Sequence, residues 1–181
     1  MYYISFVKGI HLFSGNADQL MEKLDNDLLD FGIVIDPTDK NKYDYLRLPS
    51  VDKWGVLMRN DCPLADKSFI EPEDLFNLPL IISRQAHVDN ELSNWLGRDL
   101  NNFNIVATYN LLYNASLLVD ENVGYALCLD RLINTTGESN LCFRALKPQL
   151  EARLNIIWKK SQIFSNASKL FINKLKENIK A

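Results

Sequence analysis

Three short polar segments have the side chains to bind a small polar molecule: Ser14-Gly15-Asn16, Ser83-Arg84-Gln85 and Thr108-Tyr109-Asn110. Ser83 and Gln85 can each donate and accept hydrogen bonds, and Arg84 can hold a carboxylate through two parallel N–H groups. Thr108-Tyr109-Asn110 follows the apolar run NIVAT, and Ser83-Arg84-Gln85 follows PLII. Each therefore sits where a parallel sheet presents ligands, just beyond the carboxyl end of a strand. Ser14-Gly15-Asn16 precedes apolar residues Ala17, Leu20, Met21, Leu24 and Leu28, spaced as one face of a helix. The free N–H groups at such a helix start favour a negative or hydrogen-bond-accepting partner. Each segment also has an ordinary reading. Asn16 with Gln19 makes a capping box, and Ser83 can cap the next helix while Arg84 is solvated.

Other chemistries find little support. The only histidines, His11 and His87, have no partner at the spacing of HExxH, so no metal site is expected. GxSxG, Walker A and GxGxxG are all absent, so no catalytic residue or cofactor is assigned. Cys62, Cys128 and Cys142 are an odd set without CxxC, which fits neither a disulfide framework nor zinc and suits a reducing cytoplasm. Cys128 lies inside the apolar run YALCL and reads as a small core residue. A formal net charge of −3 with scattered basic residues argues against DNA binding by this chain alone. No run of about 18 apolar residues exists to span a membrane.

The elements that must hold these segments alternate. Strand-like stretches are expected at Ile4–Phe13, Leu29–Ile35, Tyr45–Leu48, Trp54–Met58, Leu78–Ser83, Asn104–Tyr109 and Val123–Leu129. LDFGIVI has the near-continuous apolar character of a parallel strand buried on both faces. Helices are expected at Asn16–Asp27, through Val88, Leu92, Trp95, Leu96 and Leu100 with Gly97 a mild interruption, and at Leu111–Glu121. This rhythm means α/β with parallel pairing. Leu141–Leu146 and Leu154–Lys159 then look extended. A final helix over Ser165–Ile179 is expected to turn Ala167, Leu170, Phe171 and Leu175 inward. No Gly/Ser linker divides the chain, so two lobes would have to be joined through strands.

The order of motifs resembles the effector-binding domain of LysR-type transcriptional regulators over essentially the whole chain. The markers are LDNDLLDFGIVI, VLMRNDCPLAD, DLFNLPLI, LLVDENVGYALCL and LNIIWKK before a last helix. Two departures stand out: Asp61-Cys62 replaces the usual His before Pro63, and Asp27 stands where glycine is common.

The resemblance implies two Rossmann-like α/β lobes joined by two crossover strands, as in type 2 periplasmic binding proteins. Lobe one would comprise residues 1–59 and 148–181, and lobe two residues 60–147. It implies a small-molecule effector, anionic given Arg84 and the helix start at Asn16. The contacts would be Ser14, Gly15, Asn16, Ser83, Arg84, Gln85, Thr108, Tyr109 and Asn110. It also implies a cytoplasmic homodimer or tetramer that reaches DNA only through an N-terminal winged helix-turn-helix domain. The resemblance further implies that this domain, and the first strand and helix of the effector domain, would lie outside this sequence. A solute-binding protein for transport shares the same architecture, and a small enzyme using Cys128 or Cys142 is a further rival.

Overall fold

A computed structural model describes residues 9–36, 38–39, 41–84 and 90–180. The chain divides into two units, one running up to Ser50 and resuming at Arg153, the other spanning Val51–Ala152. In chain order the main elements are α1 (Ala17–Asp25), β1 (Gly32–Ile35), β2 (Tyr43–Arg59), β3 (Leu80–Ser83) and α2 (Asn90–Leu96). They continue with β4 (Ile105–Tyr109), α3 (Leu112–Asp120), β5 (Tyr125–Leu129), β6 (Leu141–Ala145), β7 (Glu151–Lys159) and α4 (Asn166–Lys180). The apolar clusters Tyr45–Leu48 and Trp54–Met58, expected as two strands, belong to one 17-residue strand. The chain passes from one unit to the other inside β2 and again near the start of β7.

In the first unit β7 is the central strand, and its side chains alternate between two helical layers. Ile157 joins Leu20, Leu24, Val34 and Tyr43 on the α1 face, while Ile156 and Trp158 join Ile172 of α4 on the other. Phe31 completes the second cluster, stacked on Phe164 at 4.9 Å and edge-on to Trp158 at 6.2 Å. The carboxylate of Asp25, at the end of α1, fastens this helix to the sheet. It accepts a hydrogen bond from the buried Tyr43 hydroxyl at 2.7 Å and a second from Lys42. Lys159 adds bonds to the Asp25 carbonyl at 3.2 Å and to the Asp27 carboxylate at 2.5 Å.

In the second unit β3 lies between β4 and β5, parallel to both, while β2 pairs antiparallel with β5 and with β6. Ile81, Ala126 and Cys128 face α3 and pack with Leu112, Ala115 and Val119. Leu80, Ile82 and Leu127 alternate to the opposite face and are wholly buried. At Gly124 the chain enters β5 so close to β3 that a Cβ would stand 2.5 Å from the Pro79 carbonyl oxygen. That oxygen already accepts the Tyr125 N–H at 2.8 Å.

Several expectations need correction. Residues 9–13 form no strand, because no described strand lies beside them to share a hydrogen-bond ladder; Ile4–Lys8 lies outside the described residues. β1 is antiparallel to β7, not a doubly buried parallel strand, and Ile33 is 57% exposed. Helix α1 stops at Asp25 and Asp27 takes a left-handed φ of 57°, which throws Leu28 off the apolar face and leaves it 67% exposed. The same φ explains why glycine suits the Asp27 position. Gly97, with φ 65°, ends α2 rather than interrupting it, and Leu100 falls in a separate 3-10 turn. Val88 lies outside the described residues. In α4 the buried positions are Ser168 and Ile172, with Leu175 half-buried, whereas Leu170 and Phe171 are 42% and 49% exposed. The helix is rotated so that Ile172, not the Leu170-Phe171 pair, leads the packing.

Two stability predictions follow from these contacts. Gly124→Ala should cost about 1–3 kcal/mol, because a backbone oxygen cannot swing aside, read as a lower urea midpoint with unchanged slope. The hydrogen bond from Lys42, seconded by that from Tyr43, holds the Asp25 carboxyl below its ordinary pKa. A depressed carboxylate contributes stability above its unfolded pKa of about 4 and loses it as pH falls through the folded value. The stability gap between the natural chain and Asp25→Asn should therefore be widest near neutrality and close in acid, measured by denaturation across pH.

Candidate functional site

Two of the three polar segments meet in the second unit. Ile82 pairs with Thr108 and Ser83 with Tyr109 in the β3–β4 ladder, and the Arg84 N–H extends it to the Tyr109 carbonyl at 2.9 Å. Both segments end their strands at the same edge because parallel strands run in the same direction. Ser83 is half-buried there, and Arg84, Thr108 and Asn110 are exposed. Gln85 lies outside the described residues. Arg84 makes no ion pair among the described residues, so its guanidinium is available to an anion.

Tyr109 behaves differently from its neighbours. Its ring packs against the cluster beneath α3, and its hydroxyl donates to the Leu127 carbonyl at 2.8 Å. Burial pushes the phenol far above its ordinary pKa, so it stays neutral. The side chain is a tie between β4 and β5. Just beyond, α3 begins at Leu112 with no side-chain cap from Leu111, leaving N–H groups of its first turn open.

In the first unit, Ser14 is exposed and Gly15 and Asn16 are half-buried. The expected capping box is present. Asn16 Oδ1 accepts the Gln19 N–H at 2.9 Å, and Gln19 Oε1 accepts the Asn16 N–H at 3.2 Å. A Cβ on Gly15 would come within 2.8 Å of Gln19 Oε1 and 2.9 Å of Phe13 Cε1, so glycine keeps the turn tight. Capping uses the Asn16 side chain but leaves the N–H groups of Ala17 and Asp18 without intrahelical acceptors.

One feature escaped sequence reasoning. A cavity of about 460 Å³ in the second unit has an apolar floor of Leu57, Leu112 and Phe143 and a polar rim including Asp130 and Thr135. Its rim is set by Arg131, at a left-handed φ of 61°, which donates to the Val51 carbonyl at 3.0 Å and to Asp52 at 3.3 Å. The only hint in the sequence was a polar stretch, NTTGES, after an apolar strand. Cys128 stands in the wall, its thiol pushed by burial to about 12, so it is protonated and a poor nucleophile.

The sequence pattern of the LysR substrate binding domain matches residues 9–180. The chain belongs to this family. A curated relative, the uncharacterized HTH-type transcriptional regulator YvbU of Bacillus subtilis strain 168, is 26% identical over 167 residues. That match covers 92% of this chain and 56% of the relative, so the chain spans about half of that protein's length. Among solved structures, the effector binding domain of QuiR in complex with shikimate is similar at TM-score 0.76 and 17% identity, covering 94% of this chain and 81% of that one. HinK, a LysR family regulator of Pseudomonas aeruginosa, matches at TM-score 0.74 and 16% identity, over 94% of this chain and 60% of that one. The CcmR regulatory domain of Synechocystis PCC6803, in complex with 2-PG, matches at 0.72 and 18%, over 91% and 80%. The LysR domain described here thus has the α/β fold of LysR effector-binding domains, which is type 2 periplasmic-binding-protein-like. Among the described residues, no helix is long and apolar enough to cross a membrane.

The tie made by Tyr109 is testable. Tyr109→Phe removes one buried hydrogen bond and should lower stability by about 1 kcal/mol in chemical denaturation, while leaving the α/β circular dichroism unchanged.

Proposed function

We propose that this LysR domain senses a small anionic effector and, in a longer regulator, conveys its presence to a DNA-binding domain. The observation that carries the reading is Arg84, an exposed guanidinium without an ion pair among the described residues. Its backbone is pinned beside Thr108 and Asn110 by the last bond of a parallel ladder. A fixed backbone under a free charged side chain suits recognition of a carboxylate. Gln85 and Ser83 would add hydrogen bonds, and in the first unit Ser14 to Asn16, with the open N–H groups of α1, would suit a hydrogen-bond acceptor in their own right. Two structures of this fold hold small molecules, shikimate in one and 2-PG in the other.

Signal transfer requires only that the effector bind one conformation better than another, the bias being set by that difference in affinity. We place the regulator in the cytoplasm as a homodimer or tetramer, with DNA contacts made by a helix-turn-helix domain of the kind named in the Bacillus relative. The free thiols of Cys62, Cys128 and Cys142 suit that compartment. The transport reading draws no support from the relatives, which are regulators.

Isothermal titration of the chain and of the full-length regulator with a panel of small carboxylic acids tests this reading. At least one acid should bind, and Arg84→Gln should weaken it by about 10-fold or more, the value of a charge-assisted hydrogen bond. Silence across the panel with both proteins, or equal affinity for Arg84→Gln, would contradict it.

A further inference from the structure

The cavity on the α3 side of the second unit has a floor built by three elements. The β2–β6 ladder sets Leu57 beside Phe143, and Leu112 comes from the first turn of α3. A Cβ on Gly55 would collide with the Phe143 ring, so glycine in β2 lets that ring lie against the sheet. Half-buried Ile133, from the loop after β5, packs on the same cluster. At about 460 Å³ the space falls within the roughly 300–1,000 Å³ typical of small-molecule sites.

The rim decides which chemistry fits. Arg131 Nε donates to Asp130 Oδ2 at 3.1 Å and Arg131 Nη2 to Asp52 Oδ1 at 3.3 Å, so one guanidinium already serves two carboxylates. The other Asp130 oxygen accepts the Lys53 N–H at 2.9 Å. An anion at Arg131 would compete with both carboxylates, and a cation at Asp130 would find its oxygens engaged. Cys128 in the wall is protonated and adds no charge. Two rim groups remain open. The half-buried Thr135 side chain makes no hydrogen bond among the described residues. Asn134 Oδ1 accepts the Thr136 N–H at 3.0 Å and the Thr136 hydroxyl at 2.8 Å, while the Asn134 Nδ2 hydrogens have no acceptor among the described residues. Both groups can donate to a ligand oxygen. A charged group set over Leu57, Leu112 and Phe143 would instead lose its hydration without compensation.

We propose that this cavity is a second ligand site, for a small uncharged compound with one aromatic or alicyclic ring and a hydroxyl or carbonyl oxygen. The ring lies over Leu57, Leu112, Ile133 and Phe143, and the oxygen accepts hydrogen bonds from Thr135 and Asn134. Burial of the ring supplies the affinity, and the two donors fix its orientation. The site differs in chemistry from the polar edge at Arg84, where a guanidinium without an ion pair suits an anion. The domain thus has a separate place for each kind of molecule.

Titration of the purified chain with benzyl alcohol, toluene, benzoate and benzylamine, followed by two-dimensional NMR, tests the proposal. Benzyl alcohol should shift the Leu57, Leu112 and Ile133 methyl resonances saturably, with a Kd of about 1 mM or tighter, and leave the Arg84 amide in place. Benzoate and benzylamine should act on those methyls at least about 10-fold more weakly. Thr135→Val, which keeps the shape and removes the hydroxyl, should weaken benzyl alcohol about 3- to 10-fold and leave toluene unchanged. Ile133→Trp, which fills the space from a loop, should abolish binding while the circular dichroism stays unchanged. No saturable shift at those methyls, equal binding of a charged probe, or unaltered affinity in Thr135→Val would each overturn the proposal. A shift of the Arg84 amide with benzyl alcohol would overturn it too, by placing the compound on the polar edge. The near-isosteric Thr135→Val decides the matter even where Ile133→Trp folds poorly.

Discussion

Strand β3 is the constraint from which the second unit is built. Leu80, Ile81 and Ile82 are wholly buried, and parallel neighbours on both sides take up the strand's backbone groups. Such a strand has no room for a polar side chain until it ends. Its neighbour β4 runs in the same direction, so their polar termini, Ser83-Arg84 and Thr108-Tyr109, are forced to one edge. The glycine at position 124 and the deep tie of the Tyr109 hydroxyl to Leu127 serve the same close strand packing. The polar edge of this unit is thus a consequence of how its apolar interior is satisfied.

The first unit meets a different demand, since its central strand β7 is antiparallel to β1 and must bury side chains on both faces. It does so with Ile157 beneath α1 and Ile156 and Trp158 beneath α4. Helix α1 is held at its far end by Asp25, Lys42, Tyr43 and Lys159 and begins at the Asn16–Gln19 box. That rigid seating is what gives the open N–H groups at Ala17 and Asp18 a fixed direction.

The parallel core was legible in the sequence because PLII, NIVAT and VGYALCL are compact apolar runs separated by helical patterns, and their polar ends could be named in advance. Tyr109 shows the limit of that reasoning. A polar residue at a strand end can point outward or inward, and only the neighbouring carbonyl of Leu127 decides which. LDFGIVI misled because an apolar run does not reveal how many partners a strand has; Phe31 and Val34 find the two helical layers while Ile33 remains exposed. In α4, Leu170 and Phe171 are as apolar as Ile172, so composition alone left the rotation of the helix undetermined. The capping box, by contrast, is a local pattern that needs no tertiary partner, and Asn16 and Gln19 form it as their spacing implies.

The central claim is that the strand ends at Arg84 and Thr108–Asn110 receive an anionic effector. Hydrogen exchange, followed by mass spectrometry with and without a saturating carboxylic acid identified by titration, tests it most directly. The account predicts added protection in peptides covering residues 83–84 and 108–112, with the strand interiors unchanged. Protection confined to other surfaces, with those two segments exchanging as in the free protein, would contradict it.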